Sequence, residues 1–173
     1  MSYFSVDVES DGPMQHINSM VCFGAVLIEP SLSKTFYGKT RPISTTYNAE
    51  SLSISGFSRQ EHESFDDPKE VMIKFEEWIL ANSKGRPILI TDNPGYDFAW
   101  INFYFHYFLG RNPFGYSARR IGDLYCGMKM DAFSKWKEIL RKTSHTHNPI
   151  DDCLGNAEAV LALKEMGLKI DLK

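Results

Sequence analysis

The chain has 173 residues, of which 43% are hydrophobic and 13% aromatic, enough apolar surface for one buried core and too much for an intrinsically disordered segment. A formal charge of −3 excludes a protein that coats nucleic acid through overall positive charge, so an anionic partner has to be met locally. Three cysteines, Cys22, Cys126 and Cys153, are too few and too scattered for a disulfide framework or a CxxC zinc knuckle, which points to a reducing, cytoplasmic setting.

A single domain over residues 1–173 is expected at this length. Tyr3 to Val8 is short, aromatic and β-branched and reads as a strand, stopped by the turn-forming Ser10-Asp11-Gly12-Pro13. Met20 to Glu29 and Lys34 to Arg41 read as two further strands joined through Pro30-Ser31-Leu32-Ser33. The apolar run from Met20 to Ile28 is far shorter than the ~20 residues that span a bilayer, and Met1 to Ser5 has no basic region of a signal peptide. No membrane association is therefore expected. A weak helical signal near Asn48 to Leu52 precedes a strong one at Asp67-Pro68, an N-cap acid followed by proline at the first helical position. Val71, Phe75, Trp78 and Ile79 then recur at helical spacing until Gly85. Arg86 to Thr91 suits a buried parallel strand, and Asn93-Pro94-Gly95 separates it from a helical Tyr96 to Leu109. Arg119 to Lys142 reads as helix with a break near Gly127, and a last helix is expected from about Asp151 to Gly167. An open mixed sheet covered by helices is the simplest architecture for this order.

Asp7 and Glu9 stand two apart on the first strand, so their side chains share a face opposite Phe4, Val6 and Val8. Asp97 follows the Pro94-Gly95 turn, and His147 precedes Asp151 and Asp152 at the opening of the last helix. Each acid has an ordinary alternative reading: a solvated strand face for the first pair, a complement to the helix dipole for Asp97, an N-cap for Asp151 or Asp152. Together they form an oxygen-rich set of the kind hard cations such as Mg²⁺ or Mn²⁺ prefer, with no Cys/His cluster to offer a zinc alternative. Two such ions about 3.5–4 Å apart serve an in-line phosphoryl displacement, and a histidine of pKa about 6.5 can take the proton of the attacking water. Metal-dependent phosphodiester hydrolysis uses all of these groups.

Asp7-Val8-Glu9-Ser10-Asp11-Gly12 resembles the first motif of the DEDDh 3′–5′ exonucleases, Asn93-Pro94-Gly95-Tyr96-Asp97 is similar to the second, and His147 to Asp152 is similar to the third. The likeness runs from Phe4 to about Ala159, and its nearest form is that of small bacterial and phage 3′–5′ exoribonucleases. The resemblance implies an α/β, ribonuclease H-like fold with a mixed five-stranded sheet flanked by helices. It implies two Mg²⁺ or Mn²⁺ ions held by Asp7, Glu9, Asp97 and Asp152, His147 as general base, and release of nucleoside 5′-monophosphates from the 3′ end of single-stranded RNA or DNA, with RNA favoured. It also implies pairing into a homodimer, since family members often dimerise. His145 is a rival for the base, but its distance from the acids does not match the motif. Ser10, Asp11 and Gly12 are candidates for substrate contact: Ser10 can bond a terminal nucleotide, while Asp11 would put an extra negative charge near the entrance.

Seven basic residues, Arg119, Arg120, Lys129, Lys135, Lys137, Arg141 and Lys142, face three acids in the same segment, a local excess that would suit phosphates as well as an ordinary solvated helix face. The helix from Tyr96 to Phe108 is aromatic nearly all round, which requires burial on more than one side or a second copy of the chain. Three rival functions remain at this level: a DNA exonuclease, a nucleic-acid-end binding module that does not cut, and a small-molecule phosphohydrolase.

Overall fold

In a computed structural model that describes residues 1–172, twelve elements form one mixed sheet between helical layers. The strands are β1 (Ser2–Ser10), β2 (Met20–Leu27), β3 (Thr35–Lys39), β4 (Pro87–Thr91) and β5 (Arg119–Arg120). The helices are α1 (Ala49–Ile54), α2 (Arg59–Glu63), α3 (Pro68–Ala81), α4 (Asp97–Leu109), α5 (Ile121–Lys129), α6 (Lys137–Leu140) and α7 (Pro149–Glu165). The sheet order is β3-β2-β1-β4-β5, antiparallel across the first three strands and parallel from β1 through β4 to β5. This is the five-stranded α/β architecture expected above.

Alternation along β1 decides what each layer does. Phe4, Val6 and Val8 are buried with Val71, Met72, Phe75 and Ile79 of α3 and Trp100, Ile101, Tyr104 and Phe105 of α4. The opposite face of the sheet carries Val26, Ile28 and Ile90 against Ile121 and Tyr125 of α5 and Cys153, Ala157, Val160 and Leu163 of α7. Period-2 side-chain alternation therefore turns Ser5, Asp7 and Glu9 toward the α7 layer.

One glycine sets how closely that layer approaches. Gly24 of β2 lies directly beside Asp7 in the sheet register, and a Cβ on it would fall 2.6 Å from the backbone C and O of Pro149 and 2.9 Å from Ile150 N. The first turn of α7 thus rests on bare backbone, and Cys153 Sγ bonds Gly24 O at 3.2 Å in the same seam. Only a residue without a side chain permits this contact.

Four elements differ from expectation. Arg119 and Arg120, expected to open a helix, instead pair with Ile90 and Thr91 as the short parallel strand β5, and α5 starts after them at Ile121. Helix α7 begins at Pro149, not Asp151, because the Asn148 side chain caps it by accepting from Ile150 N; this is the same cap-plus-proline grammar as Asp67-Pro68. Between residues 119 and 142 the break falls after Lys129 and not at Gly127: Met130 takes the left-handed conformation (φ 52°) and its N–H turns back to the carbonyls of α5. Helix α2, which the sequence reading passed over, is held by a capping box between Ser58 and Glu61.

The aromatic helix α4 is largely absorbed by the chain's own core, with the Tyr104 hydroxyl accepting from Met20 N at 2.8 Å and Tyr107 left exposed. Its composition is explained by this packing and gives no support to the pairing of two copies. No described helix is long and apolar enough to cross a membrane.

Candidate active site

Strand β1 carries Asp7 and Glu9 to the end of the sheet where β4 and the first turns of α4 and α7 converge. Asp7, Glu9 and Asp152 each offer an oxygen, and these atoms all lie within 4.8 Å of one another. Asp152 is almost wholly buried, as is Asp97, whereas Asp7 and Glu9 are partly open. Asp97 stands beside this trio rather than within it. Its Oδ1 accepts from Val8 N at 3.3 Å and its Oδ2 from the Thr91 hydroxyl, so strands β1 and β4 both orient it.

Packing like charges into a desolvated site raises the cost of ionising them. Burial, then the charges of Asp97, Asp152 and Glu9, push Asp7 well above the ordinary carboxylate range, with the Arg141 guanidinium acting against them. Burial and the neighbouring Asp152 and Asp97 push Glu9 up to about 7. Asp97 is likewise raised to about 7, chiefly by burial, against the lowering effect of its bonds to Thr91 and Val8. The folded state consequently holds protons that the unfolded chain has already released. Below the unfolded values both states are protonated; above about 7 the part of the penalty owed to Glu9 and Asp97 is fully present. The metal-free protein should therefore lose stability, on the order of a few kcal/mol, as pH rises from about 4.5 to 7. Urea unfolding in EDTA across this range checks it, and stability that rises steadily from pH 4.5 to 7 would contradict it.

Asp152 is the most heavily bonded of the four. Its Oδ1 accepts from Arg141 Nη2 at 2.9 Å, stands 2.6 Å from His145 Nδ1 and accepts from Thr146 N at 3.3 Å; its Oδ2 accepts from His147 N at 3.1 Å. Asp151, left open against Asp152 in the sequence, instead takes the Thr146 hydroxyl at 2.9 Å. Both histidines reach the site, their ring centroids 4.4 Å apart and both rings about half exposed. His147 Nδ1 lies 3.7 Å from Glu9 Oε1, on a residue held at φ 60°. A single turn thus presents His145 to Asp152 and His147 to Glu9.

The residues after the first motif are turned inward. Asp11 is fully buried, its carboxylate accepting from Ser19 N and from Arg59 Nη1 at 3.0 Å, with the buried His62 ring at 3.7 Å. Its charge is spent on tying α2 to the β1–β2 turn and does not face an entrance, which corrects the expectation. The Ser10 hydroxyl is occupied by Gly12 O and the Tyr96 hydroxyl. Gly12 makes room for the Asn18 side chain, which a Cβ would strike.

The basic segment is not a uniform phosphate track. Lys137 pairs with Asp92 at 2.6 Å, Arg120 pairs with Asp123 at 3.0 Å and also donates to Asp92 O, and Arg141 is turned into the carboxylate site. Arg141, which the sequence shows only as one of seven basic residues, and Thr91, which bonds Asp97, belong to the site without a sequence signal for it, because neither stands at a motif spacing.

The oxygen trio of Asp7, Glu9 and Asp152, crowded at short range and costly to ionise without a cation, suits a hard divalent ion, while ligand atoms of His145, His147 and Asp152 also lie within 4.8 Å of one another and form the histidine-bearing group that the sequence did not lead us to expect. A water and a phosphodiester brought against such a site, with a histidine at its rim, have what hydrolysis needs.

No protein-family model matches the chain. The chain is 30% identical over 177 residues to the 3′–5′ DNA exonuclease Cap18 of Escherichia coli, covering 96% of this chain and 94% of that protein. Among solved structures it resembles the nuclease domain of 3′hExo, a DEDDh family member bound to rAMP, with a TM-score of 0.79 and 19% identity over 99% of this chain and 96% of that one. The zinc-bound form of the E. coli ExoI–ssDNA complex gives a TM-score of 0.72 and 14% identity, over 97% of this chain and 41% of ExoI.

Proposed function

Because the chain belongs to the DEDDh family of 3′–5′ exonucleases, hydrolases of phosphodiester bonds, we propose that it removes nucleoside 5′-monophosphates from the 3′ end of single-stranded DNA. In this reading Asp7, Glu9, Asp97 and Asp152 hold two divalent ions, Mg²⁺ or Mn²⁺, and His147 is the general base. The observation that carries it is the convergence of Asp7, Glu9 and Asp152 within 4.8 Å, with Asp97 and His147 beside them. The choice of DNA rests on the near-full-length relative, itself a DNA exonuclease. RNA is the second reading, favoured by the rAMP held by 3′hExo.

When bound, the ions supply positive charge that neutralises the carboxylates and polarises the terminal phosphodiester. The chain's own groups do the rest. Thr91 and Val8 N fix Asp97, and His147 N fixes Asp152 Oδ2, so the acidic site is assembled before substrate arrives. The half-exposed His147 ring, at the open edge beside Glu9, takes the proton as water oxygen bonds to phosphorus. The P–O3′ bond then breaks and O3′ takes up a proton from solvent, leaving a 3′-hydroxyl on the shortened strand and a free 5′-monophosphate.

The test is product release from 5′-labelled single-stranded DNA and RNA of one sequence, in Mg²⁺ or Mn²⁺, with EDTA and Asp7→Ala as controls. A ladder shortening from the 3′ end of DNA, abolished by both controls, is expected. A ladder confined to RNA would replace the polymer, and none on either would overturn the activity. The two histidines should also separate: His147→Ala is expected to lower the rate by roughly 10²-fold, and His145→Ala by less than about tenfold. The opposite order in single-turnover rates would move the base to His145.

A further inference from the structure

Arg141 turns a guanidinium into a site of four acids rimmed by His145 and His147. Its side chain is only 7% exposed, its Nη2 donates to Asp152 Oδ1 at 2.9 Å and its Nε to Thr143 O at 3.3 Å. The space it fills is made by Gly155, three residues beyond Asp152 on α7: a Cβ there would lie 2.4–2.7 Å from Nε, Nη2 and Cζ of the guanidinium. Glycine inside a helix is destabilising relative to alanine, so its presence in α7 calls for a reason, and the guanidinium provides one. The loop itself is tied down separately, since Glu158 accepts from Lys142 N and Thr143 N at 2.8 Å each and from the Thr143 hydroxyl at 3.0 Å. Removing the guanidinium therefore need not release the loop.

Asp152 Oδ1 is crowded by donors, whereas Oδ2 takes the single bond from His147 N. A carboxylate oxygen carries two lone pairs, so Oδ2 is the oxygen with capacity for a further ligand. We propose that Arg141 is the resident counter-ion of the carboxylate site, held on Asp152 Oδ1 away from the freer Oδ2 and supplying positive charge to the acids when no divalent ion is bound. Breaking a buried ion pair leaves an uncompensated charge, and here that charge joins Asp7, Glu9 and Asp97. A divalent ion can replace what the guanidinium supplied.

This inference rests on the ion-holding reading above, and the experiment separates the two. Thermal unfolding is measured for wild type, Arg141→Met, Arg141→Lys and Gly155→Ala at one fixed pH near 8, in EDTA and in saturating Mn²⁺. Arg141→Met is expected to lose more stability in EDTA than in Mn²⁺, so that its Mn²⁺-induced rise in Tm exceeds that of wild type by about 4 °C or more. Gly155→Ala, which keeps the cation but displaces it, should show the same excess, and Arg141→Lys should return most of the wild-type response. A merely structural arginine would lower Tm equally in both buffers, and that result overturns the proposal. Should Arg141→Met fold in neither buffer, Gly155→Ala carries the same comparison. A wild-type Tm that ignores Mn²⁺ would overturn the ion-holding reading and this inference with it.

Discussion

Asp7→Asn is expected to lower turnover by about 10³-fold or more while making the metal-free protein more stable. The two effects have one cause. Asp7 sits on the central strand, where burial and the charges of Asp97, Asp152 and Glu9 all oppose its ionisation. An amide of the same shape removes the repulsion and keeps the packing, so unfolding in EDTA at pH 8 should shift to higher temperature. It also removes an anionic oxygen from the trio within 4.8 Å, and a charge placed for the transition state is commonly worth about 10²–10³ in rate on its own. Single-turnover rates in saturating Mn²⁺, read beside the EDTA melting curve, check both halves. A variant that is inactive and less stable would mean that Asp7 serves folding; one that turns over like wild type would remove it from the site.

The parts of this site that were legible in the sequence are those written in local spacing. Asp7 and Glu9 share a face because strands alternate with period two, and Phe4, Val6 and Val8 mark the opposite face as core. Asp97 and His147 were legible because each follows or precedes a turn or cap at a fixed offset. The choice between Asp151 and Asp152 was not settled by residue reading alone, since both lie in the first turn of a helix. Packing separates them: Asp152 faces the sheet and is buried, while Asp151 bonds the Thr146 hydroxyl at the rim.

Asp11 and Arg141 show what local spacing cannot carry. Asp11 sits in a run of turn-formers and reads as surface, yet Ser19 N from the β1–β2 turn and Arg59 and His62 from α2 close over it. Arg141 reads as one more cation in a basic stretch, and its inward turn depends on Gly155, fourteen positions on in the chain and meaningful only once α7 is docked. The fifth strand was equally hidden, because two residues, Arg119 and Arg120, are too few to show any period. Helix α2 is a different case: Ser58 and Glu61 spell a capping box, so its start was legible and its five residues simply gave no hydrophobic repeat.

Gly24→Ala is the substitution expected to damage the site most without touching a charged group. The added methyl would meet the backbone of Pro149 and Ile150 at 2.6–2.9 Å, and backbone in the first turn of a capped helix cannot swing aside as a flexible side chain would. The helix α7 must lift, and with it Asp152 and the His145–His147 turn that is hydrogen-bonded to Asp152. Overpacking of this kind costs about 1–3 kcal/mol, and a misplacement of about 1 Å in a catalytic group can cost 10²-fold in rate. A loss of roughly 10²-fold in activity is therefore expected in a protein that still unfolds cooperatively. Gly127→Ala is the control: it lies in α5, where a Cβ meets nothing within 4 Å, and it should leave the rate unchanged while adding about 0.5–1 kcal/mol of stability. If Gly24→Ala lost stability to the extent stated and kept full activity, α7 would have to be lifting without carrying Asp152 away from Asp7, and the close approach at Gly24 would be a matter of packing alone.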